Sequence, residues 1–182
     1  MGDHRGSTAS HLRRSRHSGT VALRLMDHPL ASDEELDRAE GLITEWLERQ
    51  RRDNPVIAAL DRGEPGERRW YVRLKGEQKD FITVWFVLGQ RTLQYETYVT
   101  PAPEENHAAF YEHLLRRNAK LNGVSFAIGP EDAVYLRGQL GVRHVDEAEL
   151  DRILGSLFEY SERFFHPAMR IGYASRFIGR SE

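Results

Sequence analysis

Three consecutive strand patterns joined by very short turns occupy residues 69–100, and they constrain the fold more than any other segment. The stretch "RWYVRLKG" alternates, with Trp70, Val72 and Leu74 on one side and charged or aromatic residues on the other. "EQKD" separates it from "FITVWFVLG", and Gly89-Gln90 separates that run from "RTLQYETYVT". Strands joined by such short turns run antiparallel. The segment therefore predicts an antiparallel meander.

A helix is predicted before the meander, in "SDEELDRAEGLITEWLERQRR". Ser32 and Glu35 have the spacing of a capping box, in which each side chain bonds the other residue's backbone N–H. Apolar residues then recur at helical spacing, at Leu36, Ala39, Ile43, Trp46 and Leu47. We interpret the following "VIAAL" as a short turn before the loop "DRGEPGE".

A second helix is predicted after Pro101 and Pro103, with Glu104 and Glu105 in its first turn. Its expected buried stripe consists of Phe110, Leu114, Leu115 and Leu121. A hairpin of "VSFAIG" and "AVYLRGQL" follows, and then a long helix capped by Asp146. Pro167 is expected to kink or restart this last helix, because proline lacks the N–H that the helix needs.

The predicted fold class is α+β, with a five-stranded, mainly antiparallel sheet and three helices in the order α-β-β-β-α-β-β-α. We expect residues 32–182 to form a single domain. Residues 1–31 are rich in Ser, Gly, Arg and His, and we expect a disordered basic tail. The alternatives are an electrostatic arm for nucleic acid or acidic partners, and a true translation start at Met26.

The composition and spacing of reactive residues argue against an enzyme. The chain has no cysteine, which excludes thiolate metal sites and cysteine nucleophiles. His107 and His113 are six positions apart, so they diverge around a helix and cannot share one metal ion. We predict no catalytic residue, no metal and no cofactor. The alternative is an enzyme whose site is assembled from distant residues, with His166 or His107 as the reactive group.

The second face of the predicted sheet mixes aromatic residues with arginine, which is the composition of a protein interface. The residues predicted to bind a partner there are Tyr71, Arg73, Trp85, Tyr98, Tyr135 and Arg137. Phe81 and Val87 share this face, and for them we favour a covered position. The alternative for the whole face is that one of the protein's own helices covers it, or that it belongs to a second core.

The phrases "YETYVTPAPEEN", "LLRRNAKL", "GPEDAVYL" and "PAMRIG" together resemble the YbjN-like family of bacterial sensory-transduction regulators, over roughly residues 33–178. The resemblance implies a fold similar to type III secretion chaperones, which are small, often dimeric proteins that bind extended client segments. It therefore implies a non-enzymatic regulatory or chaperone-like protein.

The expected partner is a protein or peptide client, bound through the sheet face or a sheet edge. A homodimer is a further expectation. No apolar run is long enough to span a bilayer, so we expect a cytoplasmic protein without a membrane partner. The net charge of -2 gives no reason to expect nucleic acid, although a regulator that binds it through the basic tail remains an alternative.

Overall fold

The computed structural model describes residues 28–178, which fold as one antiparallel sheet with helices on one side. The helices are α1 (Asp33–Asp53), α2 (His107–Asn118), α3 (Glu147–Gly172) and α4 (Ala174–Ile178). The strands are β1 (Ile57–Arg62), β2 (Arg69–Lys75), β3 (Phe81–Leu88), β4 (Thr92–Thr100), β5 (Ser125–Ile128) and β6 (Val134–Gly141). Their order across the sheet is β1-β2-β3-β4-β6-β5.

The predicted α+β class is confirmed, but the sheet has six strands, not five. The strand absent from the prediction is β1, which forms where a turn is expected and pairs antiparallel with β2. Its sequence "IAALDR" does not alternate, and the register shifts between Ile57 and Ala59. The strand forms because β2 offers it backbone hydrogen bonds, and propensity alone does not reveal that contact.

The described residues contain four helices, not the predicted three, because the last helical segment is interrupted at a different position from the predicted one. Helix α3 continues through Pro167 and ends at Gly172, and the short α4 follows. A proline at this position removes the hydrogen bond to the carbonyl of Arg163. Arg163 and Pro167 are both exposed, so water can satisfy that carbonyl and the helix does not restart there.

Helix α2 begins at His107, so the prediction that Glu104 and Glu105 form its first turn is wrong. Their backbone N–H groups donate to the carbonyl of Gly172 instead, at 2.9 and 3.1 Å. The Glu105 carboxylate accepts hydrogen bonds from Ser175, and Glu104 pairs with Arg176. These acidic residues therefore hold the α4 region against the entrance to α2.

The core lies between the helices and one face of the sheet. Every residue of the predicted α1 stripe is buried, and the capping box at its start is present, so both predictions are confirmed. The sheet contributes Trp70, Val72, Val84 and Phe86, each with no exposed area. Successive side chains of a strand point to opposite faces of the sheet. The residues that alternate with these buried ones therefore lie on the other face.

The predicted α2 stripe is only partly right. Phe110 and Leu114 are buried, but 63% of Leu115 is exposed. Adjacent helical positions are about 100° apart, so the face that packs against the rest of the molecule includes Leu114 and leaves Leu115 outside. An isolated exposed leucine is ordinary, but this one adjoins further apolar surface.

The turn between β2 and β3 is fixed by a carboxylate from α3. Glu162 accepts hydrogen bonds from the backbone N–H groups of Glu77, Gln78 and Lys79, at 2.8, 2.8 and 3.3 Å. Gly76 makes this approach possible, because a Cβ there would lie 2.4 Å from a Glu162 oxygen and 2.2 Å from the Lys79 carbonyl. The turn and α3 are thereby tied together.

The last four residues of the predicted tail, 28–31, lie against the domain. The Ala31 N–H donates to the carbonyl of Gln90 at 2.8 Å, and the Arg91 guanidinium donates to the carbonyl of His28 at 2.6 Å. The rest of that tail, residues 1–27, lies outside the described residues. Within residues 28–178, no helix is long and apolar enough to cross a membrane.

Candidate functional site on the open face of the sheet

The strand register brings the predicted binding residues onto one face, opposite the core. The six residues are Tyr71, Arg73, Trp85, Tyr98, Tyr135 and Arg137. Tyr71 lies beside Trp85 on the neighbouring strand, and Tyr98 lies beside Tyr135. The prediction that these residues share a face is confirmed by this register, and their binding role stays a prediction. We call this surface the open face.

The open face is not covered by any helix of the part of the chain that the structure describes. Its aromatic residues are half-buried, and the turn at Gly129 and Pro130 lies against Tyr135, whereas Arg73 and Arg137 are exposed. The covered position favoured for Phe81 is wrong, because 52% of this side chain is exposed. Val87 is half-buried on the same face. Phe81 lies at the first position of β3, on the face opposite the helix layer.

Three aromatic rings form a connected cluster in the middle of the open face. The centroids of Trp85 and Tyr135 are 6.1 Å apart, and those of Tyr98 and Tyr135 are 5.7 Å apart in an edge-to-face arrangement. Depressions of about 480 and 300 Å³ adjoin the cluster, and Trp85 lines both. Rings held in this way present apolar area without having to be ordered when a partner arrives.

Arginine side chains surround the cluster and differ in how they are paired. Arg137 pairs with Glu96 at 2.5 Å, directly across the β4–β6 ladder. Arg73 lies over the Phe81 ring, 5.7 Å from its centroid, and no carboxylate oxygen of residues 28–178 lies within 4 Å of its guanidinium. Arg73 is therefore available to an acidic group from outside.

Sequence reasoning missed two members of the open face, although the same alternation contained them. Arg69 precedes Tyr71 by two positions, and its guanidinium donates to the Tyr71 hydroxyl at 3.4 Å. The Nε atom of Arg69 is buried and has no hydrogen-bond partner among the described residues. Glu96 lies between Trp85 and Arg137 in register, and only the strand pairing reveals that position.

Lys79 lies at the margin of the open face with its amine turned inward. The amine donates to the carbonyls of Tyr98 and Val99, at 2.8 and 3.0 Å, and lies 5.1 Å from the centroid of the Tyr98 ring. Burial lowers the pKa of Lys79 from 10.5 to about 8, an effect that the nearby Glu162 carboxylate partly opposes. Lys79 thereby joins the β2–β3 turn to the end of β4.

The lowered pKa of Lys79 predicts a pH dependence of stability. Between pH 8 and 10.5 the unfolded chain holds more protons at this amine than the folded chain does, so stability from this group rises with pH in that window. The rise is at most about 3 kcal/mol. NMR titration of the lysine Cε signals checks the pKa, since the chain has three lysines. A Lys79 signal titrating near pH 10.5 would contradict the prediction.

The two edges of the sheet are poorly suited to receive a further strand. At the β5 edge, the Asn118 amide accepts a hydrogen bond from the Phe126 N–H at 2.7 Å and donates to the Phe126 carbonyl at 3.3 Å. It thus occupies the groups that an added strand would use. At the other edge, β1 is bulged and carries the exposed Asp61 and Arg62, features that discourage strand addition. The open face is therefore a better candidate than either edge for binding a partner.

Replacing Asn118 with alanine is expected to open the β5 edge. The Phe126 N–H and carbonyl lose their partner, which lowers the free energy of unfolding by about 1–2 kcal/mol. The exposed edge is also expected to promote association between copies through strand pairing. Urea unfolding and light scattering check both effects. Asn118→Asp keeps an acceptor for the N–H, so it should have the smaller effect; an alanine variant as stable as the parent would contradict the assignment.

The histidines considered for an enzyme are not brought together. His107 is exposed at the start of α2, and His166 is exposed near the end of α3. His113 is half-buried, and burial together with the nearby Arg117 lowers its pKa. Within the described range, no group of three or more His, Asp or Glu residues could hold a metal ion.

A comparison of the sequence with protein families identifies the chain. The profile of the YbjN family, described as "Putative bacterial sensory transduction regulator", matches residues 41–168. The chain belongs to the YbjN family. The matched range begins within α1 and ends within α3, so all six strands of this YbjN protein fall inside it.

Mycobacterial proteins are among its relatives. An uncharacterized protein of Mycobacterium tuberculosis (strain ATCC 25618 / H37Rv) is 35% identical over 104 residues, which is 57% of this YbjN chain and 57% of that protein. One from Mycobacterium leprae is 33% identical over 107 residues, or 59% and 58% of the two chains. The chain thus matches less than two thirds of the length of these curated relatives.

Partial structural likenesses are found between the YbjN protein and solved structures that include a type III secretion chaperone. The Yersinia pestis chaperone SycH, solved with a fragment of YscM2, has a TM-score of 0.45 at 16% identity, over 68% of this chain and 96% of that one. The ExsC–ExsE complex gives a TM-score of 0.47 at 18% identity, over 72% and 93%. Both likenesses are distant.

Proposed function

We propose that this YbjN protein is a non-enzymatic cytoplasmic regulator that binds a protein or peptide segment across the open face of its sheet. The observation that carries the proposal is the aromatic cluster of Trp85, Tyr98 and Tyr135 on a sheet face that residues 28–178 leave uncovered. An antiparallel sheet can leave one face in water, but that face is then usually polar. Clustered aromatic side chains there favour an interface instead.

The arrangement favours a partner segment that carries both apolar and acidic side chains. The depressions beside Trp85 offer apolar contact area, and the unpaired Arg73 offers a guanidinium for a carboxylate. Arg137 could exchange its contact with Glu96 for a contact with the partner. Because both sheet edges are poorly suited to pair with a further strand, the segment would bind mainly through side chains and not by extending the sheet.

Affinity capture from native lysate tests the proposal. Three forms are compared: the intact chain, a form lacking residues 1–31, and the Trp85→Ala/Arg137→Glu form, with mass spectrometry of the retained proteins. A partner held by the first two forms and lost by the third supports binding through the open face. A partner lost on removal of residues 1–31 would contradict the proposal and favour the basic tail. A folded double variant that retains the same partner would also contradict it.

A further inference from the structure

Strand β2 carries a row of mostly positive side chains along the open face. Alternation along the strand places four residues on this row, namely Arg69, Tyr71, Arg73 and Lys75. Three of the four are cations, although the whole chain has a net charge of -2. We call these four residues the β2 row. Positive charge is therefore concentrated locally, on one strand of the open face.

The described part of the chain leaves most of this positive charge without a partner. Lys75 is exposed, and its amine, like the Arg73 guanidinium, has no carboxylate oxygen within 4 Å among the described residues. Arg69 has the Glu67 carboxylate at 3.9 Å, which is a long and weak ion pair. Asp61 on the neighbouring β1 is exposed and, within the same range, forms no ion pair with the row. The β2 row can therefore pair with acidic groups from outside.

Strand β3 places mainly apolar side chains beside the β2 row. The β3 residues in register with the row are Val87, Trp85, Thr83 and Phe81. Trp85 lies beside Tyr71, so an aromatic pair stands in the middle of the row with a cation on either side of it. A path along these two strands therefore meets positive groups on one side and apolar groups on the other.

A path across the strands is less favourable for an acidic segment. From Trp85 it leads to Glu96 and then to Arg137, and these two residues already pair with each other. An acidic segment on that path meets the Glu96 carboxylate. Beyond it, the turn at Gly129 lies so close to Tyr135 that a Cβ at Gly129 would be 2.5 Å from the ring. The charges and this turn therefore favour the path along β2.

We propose that the partner segment lies extended along the β2 row and presents acidic side chains at alternate positions to Arg69, Arg73 and Lys75. This inference rests on the proposed function, and it adds which side chains the segment carries and at what spacing. A strand and an extended segment both advance by about 3.3 Å per residue, with alternate side chains on opposite sides. Seven residues therefore match the row position for position, with an apolar side chain over Tyr71 and Trp85.

Fluorescence anisotropy of labelled peptides mixed with the full chain tests the spacing. The alternating peptide has glutamate at its first, fifth and seventh positions, phenylalanine at its third and serine between them. Its reversed order is tested too, because a segment can run in either direction along the row. The control peptide has the same composition, but its three glutamates are consecutive and phenylalanine follows them directly. In an extended control peptide, phenylalanine and more than one glutamate never face the sheet together. We expect one alternating order to bind at least about tenfold more tightly than the control.

A charge exchange at Lys75 tests the register. Lys75→Glu should weaken the better-binding alternating peptide by at least about tenfold. Two of that peptide's glutamates are closely spaced, and the outer one of this pair faces position 75. Lysine in place of that glutamate should restore the affinity, whereas lysine in place of the glutamate beyond the phenylalanine should not, because that residue faces Arg69. Arg51→Glu makes a similar charge change on the exposed side of α1 and should leave the affinity unchanged. Circular dichroism establishes that both variants are folded.

Several outcomes would overturn the inference. They are equal binding of the alternating and control peptides, no measurable binding of either alternating order, and an affinity that the exchange at Lys75 does not restore. A labelled oligothymidylate that binds more tightly than the alternating peptides would also overturn it and favour single-stranded nucleic acid, whose bases stack on aromatic rings. The proposed function is judged separately, because capture of a lysate partner and its loss in the Trp85→Ala/Arg137→Glu form do not depend on the spacing of acidic residues.

Discussion

Replacing Glu162 with alanine is expected to lower the free energy of unfolding by about 2–3 kcal/mol. The carboxylate accepts three backbone hydrogen bonds from the β2–β3 turn, at 2.8, 2.8 and 3.3 Å. Hydrogen bonds to a charged acceptor contribute about 1.5–3 kcal/mol each in buried sites, and the partial exposure of this turn reduces that figure. Urea unfolding followed by circular dichroism measures the loss.

Matched variants separate the role of this carboxylate from a general effect on α3. Glu162→Gln keeps an acceptor oxygen without the charge, so its effect should be smaller than that of alanine. Glu159→Ala removes an exposed carboxylate from the same helix and should change stability by less than about 0.5 kcal/mol. Removing Glu162 should also lower the pKa of Lys79 further, since that carboxylate raises it. Equal stability of the Glu162→Ala and parent proteins would contradict the role given to the turn.

The Trp85→Ala/Arg137→Glu double variant is expected to lose partner binding by more than about 100-fold, or about 3 kcal/mol. Trp85 lines both depressions of the open face, so its removal eliminates the main apolar contact. Tryptophan truncation at the centre of an interface commonly costs about 2 kcal/mol or more. The reversed charge at position 137 then repels an acidic partner. Isothermal titration with the captured partner measures the change.

The double variant should stay folded, although Arg137→Glu places a carboxylate opposite Glu96. Like charges across a ladder destabilise by about 0.2–1 kcal/mol, which a domain of this size tolerates. Arg51→Glu makes the same charge change on the exposed side of α1 and should leave affinity unchanged. A folded double variant that binds like the parent would contradict the position of the site, and equal loss in Arg51→Glu would indicate a nonspecific charge effect.

The elements that sequence reasoning predicted well are those with strong local patterns. Helix α1 has a capping box and an apolar stripe, and both are present as expected. The meander strands alternate, and that alternation is sufficient to predict that Tyr71 and Trp85 lie on the same face of the sheet. In such segments each local preference agrees with the packing that the fold imposes.

The incorrect predictions concern segments whose structure depends on tertiary contacts. Strand β1 has no alternation and forms by pairing with β2. Leu115 fits the helical period, but α2 contacts the rest of the molecule through a narrow face, which leaves Leu115 outside. Glu104 and Glu105 look like residues of a first helical turn, yet they contact Ser175 and Arg176, about 70 residues later in sequence. A single sequence carries no local signal for such distant partners.

Photo-crosslinking in cells tests the central claim most directly. A benzophenone amino acid replaces Trp85 on the open face in one form of the protein, and Glu48 on the exposed side of α1 in the other. The proposed function predicts one specific crosslinked partner from position 85, with the attached peptide rich in apolar and acidic residues, and none from position 48. A specific partner crosslinked from position 48 and absent from position 85 would contradict the assignment of the open face.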